Sequence, residues 1–164
     1  MSTVVVLFTR DLRVHDHPAL AHAVERATRV LPLFVLDERL LRGFGAPNRV
    51  AFLLESLADL RGSLASRGSG LAIRGGDVVA ETARLALDHD ADAVYVSEDV
   101  SAYAQERERR LERALAGARI GLETFPGVTV VPPGELAPAG SDHFRVFTPY
   151  WRRWRAEPWR PVLA

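Results

Sequence analysis

The sequence predicts an α/β fold, a doubly wound parallel sheet of five strands with helices on both faces. Three observations carry this reading. Short runs of consecutive apolar residues recur along the chain, as in strands buried on both faces, rather than the alternation of a half-solvated sheet. Between the runs lie segments with helical start signals and apolar stripes. Each interval also exceeds the roughly dozen residues that a parallel crossover requires, and such crossovers are right-handed. The 164 residues fall within the range of about 100 to 200 for one domain.

The apolar run Val4 to Phe8 is the first strand. A helix is expected from His17, with Pro18 in the first turn, where a missing N–H costs nothing. Val30 to Leu36 is the second strand. The next helix is placed near Asn48, a good N-cap after Pro47, with an apolar stripe of Val50, Leu53, Leu54, Leu57 and Leu60. Leu71 to Arg74 is the third strand; Gly75 and Gly76 form a turn, and Asp77 caps the third helix. Ala93 to Ser97 is the fourth strand, and Ser101 caps the fourth helix. That helix carries Glu106, Arg107, Glu108, Arg109, Arg110, Glu112 and Arg113, with i,i+4 pairs such as Glu106 to Arg110, and reads as a solvated face. Ile120 to Phe125 is the fifth strand. The segment Val146 to Trp154 shows neither helical nor strand period.

Composition narrows the function. With 21 basic and 21 acidic residues the chain lacks the positive excess of a nucleic-acid binder. No apolar run approaches the roughly 18 residues of a membrane span, and Met1 leads straight into a strand, so a cytoplasmic protein without membrane contact is expected. The absence of cysteine excludes disulfides, a thiolate nucleophile and a zinc knuckle. Every basic residue is arginine, which excludes a P-loop lysine and a Schiff base. His15 and His17 flank Asp16 in a turn, but no further ligands complete a metal site, and none is expected. His22, His89 and His143 are isolated and expected to face solvent.

The turn after the first strand holds no G-x-G-x-x-G, so a dinucleotide pyrophosphate lacks its close backbone approach. The connection Asp37 to Pro47, DERLLRGFGAP, is longer than the usual αβ or βα loop, and long loops are often functional. Its Gly43, Phe44 and Gly45 can form an apolar flap over a flat ring. Arg49, just inside the second helix, can meet a carbonyl or stack on a π face. A planar heteroaromatic ligand with polar edges suits this mixture.

Two strings, LFTRDLRVHDHPAL (Leu7 to Leu20) and VFTPYWRRW (Val146 to Trp154), resemble the start and end of the N-terminal α/β domain of the DNA photolyase/cryptochrome family. The resemblance implies a Rossmann-like sheet of strand order 3-2-1-4-5, reversing between strands one and four, and ligands of such sheets bind outside the carboxyl ends at the reversal. On that order Thr9, Arg10 and Asp11 share a cleft with Ser97, Glu98 and Asp99, beside Phe34, Leu36 and Asp37. Residues 1–148 then form the domain and 149–164 begin the connection to a C-terminal helical FAD domain that lies outside this sequence.

In that family the cleft holds a light-harvesting antenna chromophore, a deazaflavin, FMN or another flavin, while folate antennae sit nearer the domain junction. By motif position the implied contacts are Arg10 and Asp11 from RDLR, Phe34, Leu36 and Asp37 from FVLD, Arg49 from NRVAFL, and Glu98 and Asp99 from YVSEDVSAY. A structural role is equally open: Arg10, Asp11 and Arg13 can form an ion-pair network that fixes the turn, and Asp99 can cap the next helix. Thr9 replaces the family's common arginine and His17 its usual asparagine; the first change removes one anion contact.

The resemblance implies a parent protein that is a light-driven, FAD-dependent deoxyribodipyrimidine photolyase, repairing cyclobutane pyrimidine dimers in DNA after base extrusion. None of these residues is expected to be catalytic. Damaged DNA is expected to be bound by the parent rather than by this domain. Two other readings stay open, a cryptochrome-type blue-light photoreceptor and a free-standing nucleotide-binding module. The tail carries Trp151, Trp154 and Trp159 among Arg145, Arg152, Arg153, Arg155 and Arg160. Such a tail can stack on single-stranded nucleic acid, or pack on the core or on the helical domain. Left exposed, its aromatic surface can mediate self-association.

Overall fold

A computed structural model describes residues 2–38, 46–132, 134–138 and 140–163. The strands are β1 (Thr3–Phe8), β2 (Arg29–Leu36), β3 (Ala72–Gly75), β4 (Ala93–Ser97) and β5 (Gly121–Phe125). The helices are α1 (Pro18–Arg26), α2 (Pro47–Ala65), α3 (Val78–Asp88), α4 (Ala102–Ala116) and α5 (Phe147–Ala156). All strand pairs are parallel, in the order β3-β2-β1-β4-β5. This is the doubly wound sheet the apolar runs predict, with the reversal between β1 and β4.

Every residue of β1 is buried, because alternate side chains enter two different cores. Val5 and Leu7 join Leu33, Val94 and Val96 under α3 and α4, where Val79, Leu85, Leu111 and Leu115 close the layer. Val4, Val6 and Phe8 join Phe34, Tyr95 and Phe125 on the opposite face, under Leu20 and Ala23 of α1 and Leu57, Leu60 and Leu64 of α2. A strand with one polar face could not occupy this position.

The local caps follow the sequence closely. His17 caps α1 through Nδ1, which accepts the Leu20 N–H at 3.1 Å. Asp77 caps α3 by accepting from Val79 and Ala80, after a turn in which Gly76 takes a φ of +139°. Ser101 Oγ accepts from Ala104 at the start of α4.

Four expectations are corrected. Asn48 is not a cap: Pro47 is already in the helix, behind Ala46, which makes no side-chain cap. Leu54 is 53% exposed; it lies roughly 100° around the helix from Leu53, off the stripe that Leu53, Leu57, Leu60 and Leu64 present to the sheet. The α4 face is not wholly solvated. Arg107 is only 6% exposed, Glu106 pairs with Arg109 and Arg113 rather than Arg110, and Arg110 reaches across to Asp77 at 2.9 Å. Finally, VFTPYWRRW folds as the core of α5, with Pro149 in the first turn, where its missing N–H is tolerated. Phe147, Tyr150, Trp151 and Trp154 recur along it at i, i+3, i+4 and i+7, a helical apolar stripe that the sequence reading missed, although no residue of α5 is buried.

The tail is tied to the turn after β1. Arg160 Nη2 donates to Asp16 Oδ2 at 2.9 Å, the Leu163 N–H donates to Asp16 Oδ1 at 3.2 Å, and the Asp16 N–H donates to the Leu163 carbonyl at 3.0 Å. Arg13 does not join Arg10 and Asp11 in a network. Its guanidinium donates instead to the carbonyls of His15, Asp16 and Gly127. No helix among the described residues is long and apolar enough to cross a membrane.

Candidate functional site

Where the sheet reverses, the first turns of α3 and α4 diverge and leave a cavity of about 200 Å³ at the carboxyl ends of the strands. Phe8, Thr9 and Arg10 enter it from the end of β1, Phe34, Val35 and Asp37 from β2, and Val78 from the start of α3. Asp99, just past β4, and Tyr103 and Arg107 of α4 complete it. Aromatic and aliphatic side chains line it together with polar ones, of which Asp37 and Arg107 are buried.

Those polar groups are mutually arranged. Arg10 Nη1 donates to Asp99 Oδ2 at 2.8 Å, joining the ends of β1 and β4. The second Asp99 oxygen accepts the Ser101 N–H at 3.0 Å, so Asp99 also supports the start of α4. Burial would raise the Asp99 carboxyl; hydrogen bonds from Arg10 and Ser101 outweigh it and hold the group below its ordinary value. Tyr103 donates its hydroxyl to Asp37 Oδ2 at 3.2 Å.

Arg107 is the buried cation of the cavity. One terminal nitrogen donates to Glu108 Oε1 at 3.3 Å, while its Nε–H has no hydrogen-bond partner among the described residues. Burial raises the Glu108 carboxyl, and the nearby charges of Asp99 and Glu98 add to this against the attraction of Arg107. At the neighbouring start of α3, Asp77 meets two backbone N–H groups and the Arg110 guanidinium with one carboxylate. The positive end of that helix is therefore already matched from within the chain.

Arg10, Phe34, Asp37 and Asp99 are thus brought together, with Thr9 between them. Asp11 is not on the cavity: it is 5% exposed and turned inward to His17. Leu36, Glu98 and Arg49 do not line it either; Arg49 is exposed on the first turn of α2. The expected flap of Gly43, Phe44 and Gly45 lies outside the described residues. Tyr103 and Arg107 were not foreseen. Their spacing of four residues places both on one face of α4, and that signal was hidden by reading the charged run as uniformly solvated. The two histidines of the first turn go separate ways, His17 into the core and His15 to a surface contact with Arg67. His22 stacks on Phe125 at 5.0 Å rather than standing alone.

A parallel, doubly wound sheet with a cavity at its reversal defines a Rossmann-like α/β domain. The sequence model of the DNA photolyase family matches residues 4–164, and the chain belongs to that family. It is 47% identical over 160 residues to a deoxyribodipyrimidine photo-lyase of Streptomyces griseus, covering 96% of this chain and 35% of that protein. It is 38% identical over 140 residues to a cryptochrome DASH of Gloeobacter violaceus, covering 82% of this chain and 28% of the other. Among solved structures, a Synechocystis cryptochrome superposes with a TM-score of 0.90 at 26% identity, over 99% of this chain and 35% of that one. An archaeal photolyase from Sulfolobus tokodaii, described with two FAD molecules and a novel light-harvesting cofactor, superposes at 0.85 with 25% identity, over 98% and 36% of the two chains. The chain therefore spans about a third of the length of these relatives.

Proposed function

We propose that this chain is the antenna-binding domain of a light-driven, FAD-dependent deoxyribodipyrimidine photolyase, and that its cleft takes a flat flavin or deazaflavin ring. The carrying observation is the cavity at the β1/β4 reversal, which sets Phe8, Phe34, Val35 and Val78 beside Arg10, Asp99 and Arg107. The residues fit such a ring. Phe34, Val35 and Val78 offer apolar walls, and Arg10, Asp99, Tyr103 and Arg107 supply polar groups beside them. The light-harvesting cofactor described for the Sulfolobus photolyase supports the same reading.

Bound in the cleft, the ring would absorb near-ultraviolet or blue light and pass excitation to reduced FAD held by a C-terminal helical domain of the parent protein. The present residues position and shield: the walls exclude water, and the Arg10–Asp99 pair holds β1 and β4 together. DNA repair, and the binding of damaged DNA, belong in this reading to the helical domain. The match to the Gloeobacter cryptochrome DASH supports a second reading, a blue-light photoreceptor built on the same domain.

Titration of the purified chain with riboflavin, FMN, a deazaflavin and a folate tests the reading. Saturable uptake of one flavin or deazaflavin per chain, seen as quenched fluorescence, is expected. Failure of every ring to bind saturably overturns it.

A further inference from the structure

We infer that the tail of this chain, Phe144 to Leu163, is a contact surface for single-stranded nucleic acid, with bases stacked on its exposed rings and phosphates held by its arginines. The surface shares no residue with the cleft and does not depend on the antenna reading. It lies on the α/β chain itself, apart from the helical domain to which the lesion is assigned above.

The first argument is charge. The 21 basic and 21 acidic residues balance overall, but they are not evenly spread. Residues 144–164 hold five arginines, Arg145, Arg152, Arg153, Arg155 and Arg160, against the single acidic residue Glu157, which leaves the first 143 residues with an excess of four acidic groups. Two of the five are matched within the chain, Arg160 by Asp16 and Arg153 by Glu157 at 3.1 Å. The Arg145 and Arg152 side chains make no ion pair or hydrogen bond among the described residues, and Arg155 meets the face of Trp151 instead of a carboxylate. The residues outside the described set include no aspartate or glutamate. Three exposed guanidiniums thus stand without a carboxylate, and a chain of phosphates supplies an anion to each.

The second argument is the rings between those arginines. Phe147, Tyr150, Trp151 and Trp154 form the stripe of α5, yet Phe147, Trp151 and the following Trp159 are 72%, 41% and 57% exposed. At about 100° per residue, Arg152 and Arg155 lie to one side of the stripe and Arg153 to the other. A helix lying on a lipid surface keeps its cations on the face opposite its apolar stripe. Here the Arg155 guanidinium sits 5.3 Å from the centroid of the Trp151 ring, so cation and ring share one side. Aromatic faces beside cations let bases stack while phosphates are held, whatever the sequence, because every base has a π face.

The third argument is that the surface is set before anything binds. Trp159 leans on Trp154, with ring centroids 5.1 Å apart, and the segment beyond it is clipped to the turn after β1 through Asp16, Arg160 and Leu163. A second copy of the chain is a poorer occupant, since stripe against stripe would bring the unpaired arginines of both copies together.

The experiment titrates the 164-residue chain into a fluorescein-labelled thymidine oligomer of about 12 nucleotides, read by anisotropy. Tryptophan emission is followed in parallel, because all three tryptophans lie in the tail. Saturable binding with quenched tryptophan emission is expected. Three neutralised phosphates give a log–log salt slope near −2, so affinity is expected to fall about twentyfold between about 50 and 200 mM salt. The double variant Arg145→Gln, Arg152→Gln is expected to cut that slope to about a third. Trp151→Ala is expected to weaken binding about tenfold with the slope unchanged. Both variants are checked for an unchanged melting transition, which exposed side chains permit. Absence of saturable binding overturns the inference. Equal binding of a blunt duplex, which offers phosphates without free base faces, overturns it too, as does equal binding to phosphatidylserine vesicles. Dimers that Trp151→Ala dissolves, with no oligomer bound, assign the face to a second copy and overturn it likewise.

Discussion

His17 Nε2 stands 2.9 Å from Asp11 Oδ2, and the two side chains are 0% and 3% exposed. Because His17 Nδ1 accepts the Leu20 N–H, its ring proton is on Nε2, close to the carboxylate but outside hydrogen-bond geometry. One imidazole thus joins the start of α1 to the turn that leaves β1. Asp11→Ala removes the carboxylate packed beside this buried imidazole and is expected to cost about 1–3 kcal/mol in urea unfolding. Ring binding, normalised for folded protein, is expected to be unchanged, since Asp11 is not on the cavity.

The cap itself separates two substitutions at the same position. His17→Asn keeps an N-cap acceptor and is expected to retain most of the stability that His17→Ala loses, a difference of about 1 kcal/mol at α1. Equal melting temperatures for the two variants would show that the cap contributes nothing.

Acid titration has a sign that can be worked out. Burial would raise the Asp11 carboxyl, but the neighbouring His17 and Ser97 side chains and a backbone N–H together outweigh it and hold the folded-state value well below the ordinary one. The unfolded chain then binds the proton more readily, so this stabilisation is complete above about pH 4 and is lost progressively as pH falls below it. Glu108 has the opposite sign. Its carboxyl is raised by burial, so the folded state holds that proton more tightly, and the associated stability fades as pH rises through the raised value. Unfolding followed from pH 3 to 8 is expected to show Asp11→Asn flattening the acid limb. Glu108→Gln is expected to leave stability equal or slightly higher near pH 7, by less than about 1 kcal/mol.

Gly127 is a site of close approach. A Cβ there would lie 3.2 Å from Pro18 Cδ and 3.4 Å from Ser97 Oγ. Both neighbours are buried, and neither is the free end of a flexible chain. Gly127→Ala is expected to destabilise by about 1–3 kcal/mol, read as a lowered urea midpoint with unchanged slope.

The tail depends on one carboxylate. Asp16 pairs with the Arg160 guanidinium and accepts the Leu163 N–H. Asp16→Ala is expected to change global stability by less than about 1 kcal/mol, since both partners are about one-third exposed. Amide exchange at residues 160–163 is nonetheless expected to quicken, because their anchoring contacts are lost. Unaltered exchange there would show that the tail is held by other contacts.

Much of the fold is legible locally. The apolar runs of β1, β2 and β4, and the caps at His17, Asp77 and Ser101, are written in neighbouring residues, because backbone hydrogen bonding and capping act over a few positions. The helix α5 was legible too, in the i, i+3, i+4, i+7 spacing of Phe147, Tyr150, Trp151 and Trp154; the interleaved arginines and Pro149 obscured it. The site was half legible. Arg10, Phe34, Asp37 and Asp99 sit where strands end, and strand ends can be read; Tyr103 and Arg107 sit on a charged helix whose inward face cannot.

By itself, then, the sequence determined which segments become the five strands and α1 to α4 and, through its end motifs, the family and strand order. Only the tertiary structure decided which polar groups meet. It buried Arg107 against the sheet while its neighbours stayed in water, turned Asp11 away from the cleft to His17, and matched the start of α3 with its own Asp77. The physical reason is range. Caps and periodicity are settled within a turn or two of chain, whereas burial and charge pairing depend on distant segments brought within a few ångströms, where desolvation and partner geometry govern.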